Sequence, residues 1–250
     1  MSVPDTGVAG LRRILVIGAA VARAEALARQ CDASIERVEA ATDAAALARE
    51  SGADLLVFDI PRDARTRHWL PGAPEWQVLR LSPCPVLLAD PQAHAAYARV
   101  LVAIDPLHEH DRPAALDDAL VAAARAVAAP QAHIGLVHCH LPSENMPLRA
   151  PGATRGSVIH RRTGTFAAQR VALEAFATRQ GIPAAALQIE PGDPREAIPE
   201  VATRTGADLV VLGAVARGPV RRFLIGSTTE PVIGRLGCDV LAVTGPRPTS

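Results

Sequence analysis

A loop rich in small residues, from Gly213 to Glu230, carries the side chains whose types and spacing are best suited to chemistry. Gly213 and Gly226 leave room for a ligand beside the backbone. Ser227 and Glu230 form a capping box, which predicts a helix start with free N–H groups and a positive dipole end. Three hydroxyl donors stand together there: Ser227, Thr228 and Thr229. The pattern indicates a phosphate site, and the open alternative is a tight strand-to-helix connection with the same small residues.

Asp105 is the candidate polar contact on a second loop, directly after the apolar run Val100 to Ile104. Its carboxylate could accept a hydrogen bond from a ribose hydroxyl or an adenine amino group. A general-base role would need a Ser, Cys or His partner at a recognisable spacing, and the sequence has neither this nor a G-x-S-x-G elbow. We therefore expect a binding protein rather than an enzyme, with slow incidental hydrolysis of a bound nucleotide left open.

Histidine pairs offer a weaker possibility. His108 with His110, and His138 with His140, have a spacing that could ligate a metal, but two histidines without an identified third ligand are weak evidence for a metal site. We therefore predict surface or packing histidines and no metal site.

The overall composition narrows the class of partner. The chain has 26 Lys plus Arg and 26 Asp plus Glu, so no net charge attracts nucleic acid or an anionic membrane. It contains no lysine, which excludes a Schiff-base enzyme and a Walker-type P-loop. No apolar run approaches the roughly 20 residues that span a bilayer. The four cysteines include no C-x-x-C pair and residues 1–10 have no leader pattern, so the expected location is the cytoplasm.

An internal repeat fixes the architecture. The run Ser51 to Phe58 (SGADLLVF) recurs as Thr205 to Leu212 (TGADLVVL), an offset of 154 positions from 51 to 205. The run CPVLL at Cys84 recurs as CDVLA at Cys238 with the same offset. One duplicated unit explains both matches. It also makes the two cysteines equivalent, so a redox pair is conceivable, although buried inert thiols are the simpler expectation.

The second half alternates strands with helices throughout. Predicted strands lie at Val100–Ile104, His133–Cys139, Ala185–Ile189, Asp208–Leu212 and Val240–Val243, and predicted helices at Ala114–Ala128, Phe166–Arg179, Pro194–Thr205 and Thr228–Leu236. Such alternation is typical of a parallel sheet with helices on both faces. Residues 142–164 are expected to form a long loop.

The first half is a shorter copy of the same unit. Its predicted strands are Ile14–Gly18, Ile35–Val38, Leu55–Asp59 and Val86–Leu88, and its predicted helices are Ala22–Cys31 and Ala44–Ser51. Roughly one strand and one helix are missing from it. We therefore predict two doubly wound, Rossmann-like parallel-sheet domains of the α/β class, residues 1–95 and 96–250, of which the first is truncated.

The run Asp208 to Val243 resembles the C-terminal signature of the universal stress protein family: a strand, Gly, two residues, Gly, nine residues, Gly-Ser/Thr, a helix and a final strand. Gly213, Ala216 and Gly226-Ser227 stand at those positions. The segments 190–199 and 76–86 resemble parts of the family's tandem, double-domain branch, whose first domain is degenerate. The resemblance implies an adenine nucleotide α-hydrolase-like variety of the Rossmann-like fold.

For ATP-binding members, the resemblance implies adenine and ribose contacts on Asp105 and Val137, with Leu212 against the base. It implies phosphate contacts on Gly213, Val215, Ala216, Gly226, Ser227, Thr228 and Thr229. The expected cofactor is ATP, with or without Mg²⁺. Ala216 departs from the family's glycine, and if that position needs positive φ the alanine costs on the order of 1 kcal/mol.

The first copy has DIPRD at residues 59–63 in the corresponding loop, with two acids and no glycine, so we expect no nucleotide there. The resemblance implies that Val86–Leu88 and Val240–Val243 meet across a pseudo-dyad, forming an intramolecular pseudo-dimer to which a further homodimer could be added. It implies a stress-response protein that holds an adenine nucleotide in the second domain. The alternative is a nucleotide-free interaction or small-ligand-carrier protein that uses the same crevice.

Overall fold

The structure, a computed structural model, describes residues 10–38, 44–59, 78–79, 81–91, 96–107, 115–140, 165–214 and 229–243 of the 250-residue chain. These ranges contain the strands β1 (Arg13–Ile17), β2 (Ser34–Val38), β3 (Leu55–Asp59), β4 (Val86–Ala89), β5 (Tyr97–Ala103), β6 (Ala128–His140), β7 (Leu187–Pro191), β8 (Leu209–Gly213) and β9 (Asp239–Val243). They contain the helices α1 (Val21–Cys31), α2 (Ala44–Ser51), α3 (Ala115–Val127), α4 (Phe166–Arg179), α5 (Pro194–Thr205) and α6 (Thr229–Ile233).

All of these strands belong to one sheet, in the order β2-β1-β3-β4-β9-β8-β5-β6-β7. Neighbouring strands are parallel except β4 and β9, which pair antiparallel. Counted outward from the β4–β9 pair, each half has the same order, with β4, β3, β1 and β2 corresponding to β9, β8, β5 and β6. Strand β7 has no counterpart among the described residues of the first half. The predicted α/β class, with two doubly wound units of which the first is shorter, is confirmed.

The hydrophobic core lies in two layers, one on each face of the sheet. Helices α1, α3 and α4 cover one face, where Leu27, Leu120 and Phe176 are buried. Helices α2, α5 and α6 cover the other, where Ala48, Val201 and Ile233 are buried. Strands buried on both faces read as nearly continuous apolar runs, as in β3 (LLVFD) and β8 (LVVLG).

The repeated Gly-Ala-Asp ends a helix in both copies. Gly52 and Gly206 have φ values of 63° and 64°, a left-handed conformation in which glycine is favoured. After each glycine the next amide bonds back into the helix, Ala53 to the Ala48 carbonyl at 3.0 Å and Ala207 to the Ala202 carbonyl at 2.9 Å. The repeat thus encodes a helix stop.

The aspartate of the same repeat aligns the next strand. Asp54 accepts the backbone N–H groups of Arg12 and Arg13 at 2.9 and 3.0 Å, just before and at the start of β1. Asp208 accepts those of Ala98 and Arg99, in the first part of β5, at 2.8 and 3.0 Å. The two carboxylates therefore have the same structural role, and neither belongs to the carboxyl edge where ligands bind in such sheets.

Element boundaries differ from prediction where irregular backbone intervenes. Helices α4 and α5 begin and end as predicted, whereas β7 begins at Leu187 because a 3-10 turn occupies Ala184–Ala186 first. Strand β6 begins early, at Ala128, with an irregular register beside Tyr97. Helix α6 ends at Ile233, before Gly234, rather than at Leu236. One sheet runs across the predicted domain boundary at residues 95 and 96, which stays a prediction.

Candidate functional site

The carboxyl edge of β5 and β8 is the place where the strand order of the second half reverses. The chain passes from β5 to β6 on one side, whereas β8 lies on the other side of β5. Doubly wound sheets bind ligands outside the carboxyl ends of the strands at such a point. Asp105 follows β5 and Gly213 ends β8, so the sheet brings these two predicted residues to the same edge.

The predicted contact residues within the described ranges are buried: Asp105, Val137, Leu212, Gly213 and Thr229. Val137 and Leu212 belong to the apolar layer that α2, α5 and α6 cover. The other predicted residues lie outside the described part of the chain: Val215, Ala216, Gly226, Ser227 and Thr228. Ligand contact by any of these ten residues stays a prediction.

Thr229 joins the two ends of the loop that the sequence analysis selected. Its Oγ1 donates a hydrogen bond to the Gly213 carbonyl at 3.0 Å, and the side chain is buried. The amide of Ala214 donates to the Val243 carbonyl at 2.8 Å, which anchors the start of the loop to β9. The Thr229 hydroxyl therefore donates its hydrogen to Gly213 and not to a ligand. A phosphate that accepts a hydrogen bond from Thr229 would have to accept it from the backbone N–H.

The peptide group between Ile104 and Asp105 is held by two buried side chains, Asp117 and His138, neither of which was predicted to have this role. The amide of Asp105 donates to Oδ1 and Oδ2 of Asp117, each at 3.3 Å. Nδ1 of His138 lies 3.2 Å from the carbonyl oxygen of Ile104. One signal was available in the sequence: Asp117 falls on the apolar stripe of α3, beside Leu116, Leu120 and Val121, where a carboxylate needs a hydrogen-bond partner.

The cysteines provide no reactive centre among the described residues. All four are free thiols. The pKa of Cys139 is raised to about 12, chiefly by burial and in smaller part by the nearby carboxylates of Glu190 and Asp193. Burial also raises the pKa of Cys84, whereas its side-chain hydrogen bond with Ser82 lowers that pKa. A thiol that stays protonated is a weak nucleophile.

The described histidines do not assemble a metal centre. His138 is buried, and His140 makes an edge-to-face contact with Phe166 at a centroid distance of 5.5 Å. Within the described ranges, no group of three or more His, Cys, Asp or Glu side chains is placed to hold a metal ion. His108 and His110 lie outside those ranges.

The corresponding edge of the first repeat is occupied differently. Asp59 ends β3 at the position that Gly213 has in β8, since both pair with equivalent residues of the neighbouring strands. The Asp59 carboxylate lies against the backbone of Gly18, so closely that a β-carbon at Gly18 would overlap with Oδ1. A fixed negative charge there disfavours an anionic ligand.

A buried polar cluster adjoins the first repeat and links it to the second. The Arg23 guanidinium lies 3.2 Å from Asp239 Oδ2 and stacks over the Tyr97 ring at 4.2 Å. The Tyr97 hydroxyl donates to the same oxygen at 2.8 Å, and the Asp90 amide donates to Oδ1 at 3.0 Å. The cluster therefore connects α1, the inter-repeat segment, β5 and β9.

None of the described helices is long and apolar enough to cross a membrane.

Comparison with curated proteins finds relatives that share a common name. The chain is 30% identical to the Universal stress protein E homolog of Haemophilus influenzae over 173 residues, which cover 68% of this chain and 55% of that protein. It is 28% identical to Universal stress protein E of Escherichia coli over 180 residues, 68% of this chain and 54% of that one. The chain thus spans about half the length of the curated relatives it matches.

Solved structures share the fold across nearly the whole chain. A protein of unknown function from Pseudomonas aeruginosa superposes with a TM-score of 0.69 at 21% identity, covering 96% of this chain and 95% of its own. The sequence profile described as the universal stress protein family matches residues 96–244, which include β5 to β9 and the edge that Asp105 and Gly213 share. On this evidence the chain belongs to the universal stress protein family.

Proposed function

We propose that the chain is a stress-response protein that binds an adenine nucleotide, ATP or a close relative, at the carboxyl edge of β5 and β8. One observation carries the proposal: Thr229 and Gly213 bring the ends of the glycine-containing loop together at the point where the strand order reverses. A loop anchored in this way can present its backbone amides to phosphates. Asp105 on the neighbouring strand end supplies the acceptor for a ribose hydroxyl or the adenine amino group.

The nucleotide acts as a signal or structural ligand and not as a substrate. Asp105 and Asp117 engage each other through the Asp105 amide, and the described thiols with raised pKa values are poor nucleophiles. We therefore assign no catalytic residue. A steady-state turnover faster than about one per minute would contradict this part of the proposal, since typical enzymes turn over at about 10 per second.

The two repeats form an intramolecular pseudo-dimer in this proposal. The antiparallel pairing of β4 with β9 supports it, because the terminal strands that the repeat makes equivalent meet within one chain. A further homodimer would need another surface. Sedimentation of the purified chain over a range of concentrations measures this directly. The free cysteines suit a reducing compartment, and we place the protein in the cytoplasm.

The nucleotide proposal is tested by denaturing the purified chain and identifying any released nucleotide by chromatography. Calorimetric titration with ATP, with and without Mg²⁺, then compares the wild type with Gly226→Val, which fills the predicted cradle. Gly237→Val is the matched control, because Gly237 is exposed and a β-carbon there would contact nothing. We expect binding by the wild type and the control and at least a tenfold loss in Gly226→Val, about 1.4 kcal/mol. Equal affinity in all three proteins would contradict the proposed cradle.

A second candidate function is favoured by the burial of Asp105, which is 4% exposed. If this side chain stays covered when ligand is offered, the ribose side of the crevice is closed, and the chain acts as a nucleotide-free interaction or small-ligand-carrier protein. Absence of released nucleotide together with no heat on ATP titration of the wild type would favour this function.

A further inference from the structure

The peptide group that joins Ile104 to Asp105 is held on both sides by buried side chains. Its carbonyl oxygen accepts a hydrogen bond from His138 Nδ1 at 3.2 Å, and its N–H donates to the two carboxylate oxygens of Asp117 at 3.3 Å each. Strand β5 ends at Ala103. Just after it, the Ile104 amide donates a hydrogen bond to the Val137 carbonyl of β6 at 3.0 Å. Strand pairing therefore does not orient the Ile104–Asp105 peptide, and the two side chains do.

Both side chains come from rigid elements and are enclosed. His138 lies on β6 and is 2% exposed, and Asp117 lies in the first turn of α3 and is fully buried. Burying an ionisable group is unfavourable unless hydrogen bonds compensate, so an apolar residue would pack at either position at lower cost. The Ile104–Asp105 peptide is a partner for each of them. A carbonyl oxygen can only accept, so the His138 tautomer in this contact carries its proton on Nδ1.

Fixing this peptide fixes the side chain that follows it. The direction of the Asp105 Cα–Cβ bond depends on the orientation of the Asp105 amide and on one backbone torsion. Binding groups must be held to within about 0.5 Å to be effective, and supporting side chains achieve this. We infer that His138 and Asp117 are positioning residues that aim the Asp105 carboxylate at the nucleoside part of the ligand. The inference rests on the proposed function.

The experiment separates nucleoside recognition from overall affinity. Calorimetry gives Kd for ATP, for 2′,3′-dideoxy-ATP, which lacks the ribose hydroxyls, and for ITP, which lacks the adenine amino group. Comparison of the wild type with Asp105→Ala shows which analogue reports on Asp105, because for that analogue the preference for ATP depends on the Asp105 side chain. For that analogue we expect the wild type to discriminate by about tenfold or more, as for a hydrogen bond to a charged group, and Asp105→Ala to discriminate little.

Variants of the two positioning residues then test the inference. His138→Leu and Asp117→Leu remove the donor and the acceptor, whereas His138→Asn and Asp117→Asn keep a donor and an acceptor near the same positions. We expect the discrimination ratio to fall toward one in the leucine variants and to recover in the asparagine variants. The destabilised control Val201→Ala, in the opposite apolar layer, should keep the wild-type ratio. Leucine variants that bind ATP with wild-type discrimination would overturn the inference.

A measurement on the wild type covers the case in which the leucine variants do not fold. Amide hydrogen exchange followed by NMR should show protection of Asp105 although it lies beyond the end of β5, and unprotected exchange would overturn the inference. Failure of the proposed function looks different, because the wild type would then bind none of the three nucleotides. Discrimination that is independent of Asp105 would retain nucleotide binding and overturn the positioning roles.

Discussion

Leu87 of β4 and Leu241 of β9 lie opposite each other in the antiparallel strand pair, and the 154-residue offset of the repeat makes them equivalent positions. On either side Val86 pairs with Ala242 and Leu88 with Val240, so the register is symmetric about this pair. The proposed pseudo-dimer, if its two copies are related by a pseudo-dyad, would have that axis between Leu87 and Leu241. The strand pairing predicted from the resemblance is present, and its centre is an apolar contact.

We predict that Leu87→Ala and Leu241→Ala each destabilise the whole chain. Both side chains are fully buried in the same apolar layer, so each truncation should lower the free energy of unfolding by about 2–5 kcal/mol. Because the two residues face each other, the double variant should lose less than the sum of the single losses. Urea denaturation followed by circular dichroism measures all three values. Strict additivity would argue against contact between the two leucine side chains.

The two glycines that end helices provide a paired prediction, in which each alanine variant is the control for the other. Gly52→Ala and Gly206→Ala place a β-carbon at φ near +63° and should each cost about 1 kcal/mol. At Gly52 the new atom meets nothing, whereas at Gly206 it would lie 2.9 Å from Nη1 of Arg99. Gly206→Ala should therefore be the more destabilising of the two by thermal denaturation. Equal losses in the two variants would show that the Arg99 side chain moves away freely.

The elements that sequence could predict are those whose ends are fixed by local chemistry. Helix α4 starts after Thr165, whose side chain accepts from the Ala168 amide at 3.2 Å, and α5 starts after Asp193, which accepts from the Arg195 amide at 2.9 Å. Both helices were predicted to the residue because caps lie within three positions of the helix start. Gly206 fixes the end of α5 in the same way.

The contacts that sequence could not predict join residues far apart in the chain. Arg23 and Asp239 are separated by 216 positions, and Asp105 and Asp117 meet only because α3 folds back onto the end of β5. Propensity and periodicity describe neighbours on one element, whereas these pairs depend on the assembled sheet. The same limit applies to the bond from the Thr229 hydroxyl to the Gly213 carbonyl, whereas a phosphate contact by Thr229 stays a prediction.

The buried ion pair between Arg23 and Asp239 should contribute far more to the free energy of unfolding than an exposed ion pair does. Arg23→Met leaves the Asp239 charge buried without its cation, for which we expect a loss of about 3–5 kcal/mol. Arg37→Met, which breaks the exposed pair with Glu25, should cost at most about 1 kcal/mol. Urea denaturation of both variants measures the difference. Equal small losses would mean that the remaining partners of Asp239, which include Asp90 and Tyr97, satisfy its carboxylate without Arg23.

Tyr97 should make the protein sensitive to alkaline pH. Burial raises the pKa of Tyr97 well above its ordinary value, and the Asp239 carboxylate raises it further while Arg23 opposes the shift. The folded chain thus holds the phenol proton more tightly than the unfolded chain, and this stabilisation is complete below about pH 10 and is lost as pH rises through the folded pKa.

The chain has one tyrosine and no lysine, so its tyrosinate absorbance reports on Tyr97 alone, and the thiols are the main other side chains that titrate in that range. We expect tyrosinate to appear together with unfolding. Tyr97→Phe should reduce the fall in unfolding free energy above about pH 10 while the contribution of the thiols remains. If tyrosinate forms near pH 10 in the folded protein, or if Tyr97→Phe leaves the alkaline slope unchanged, the hydroxyl is not enclosed with Asp239 in solution.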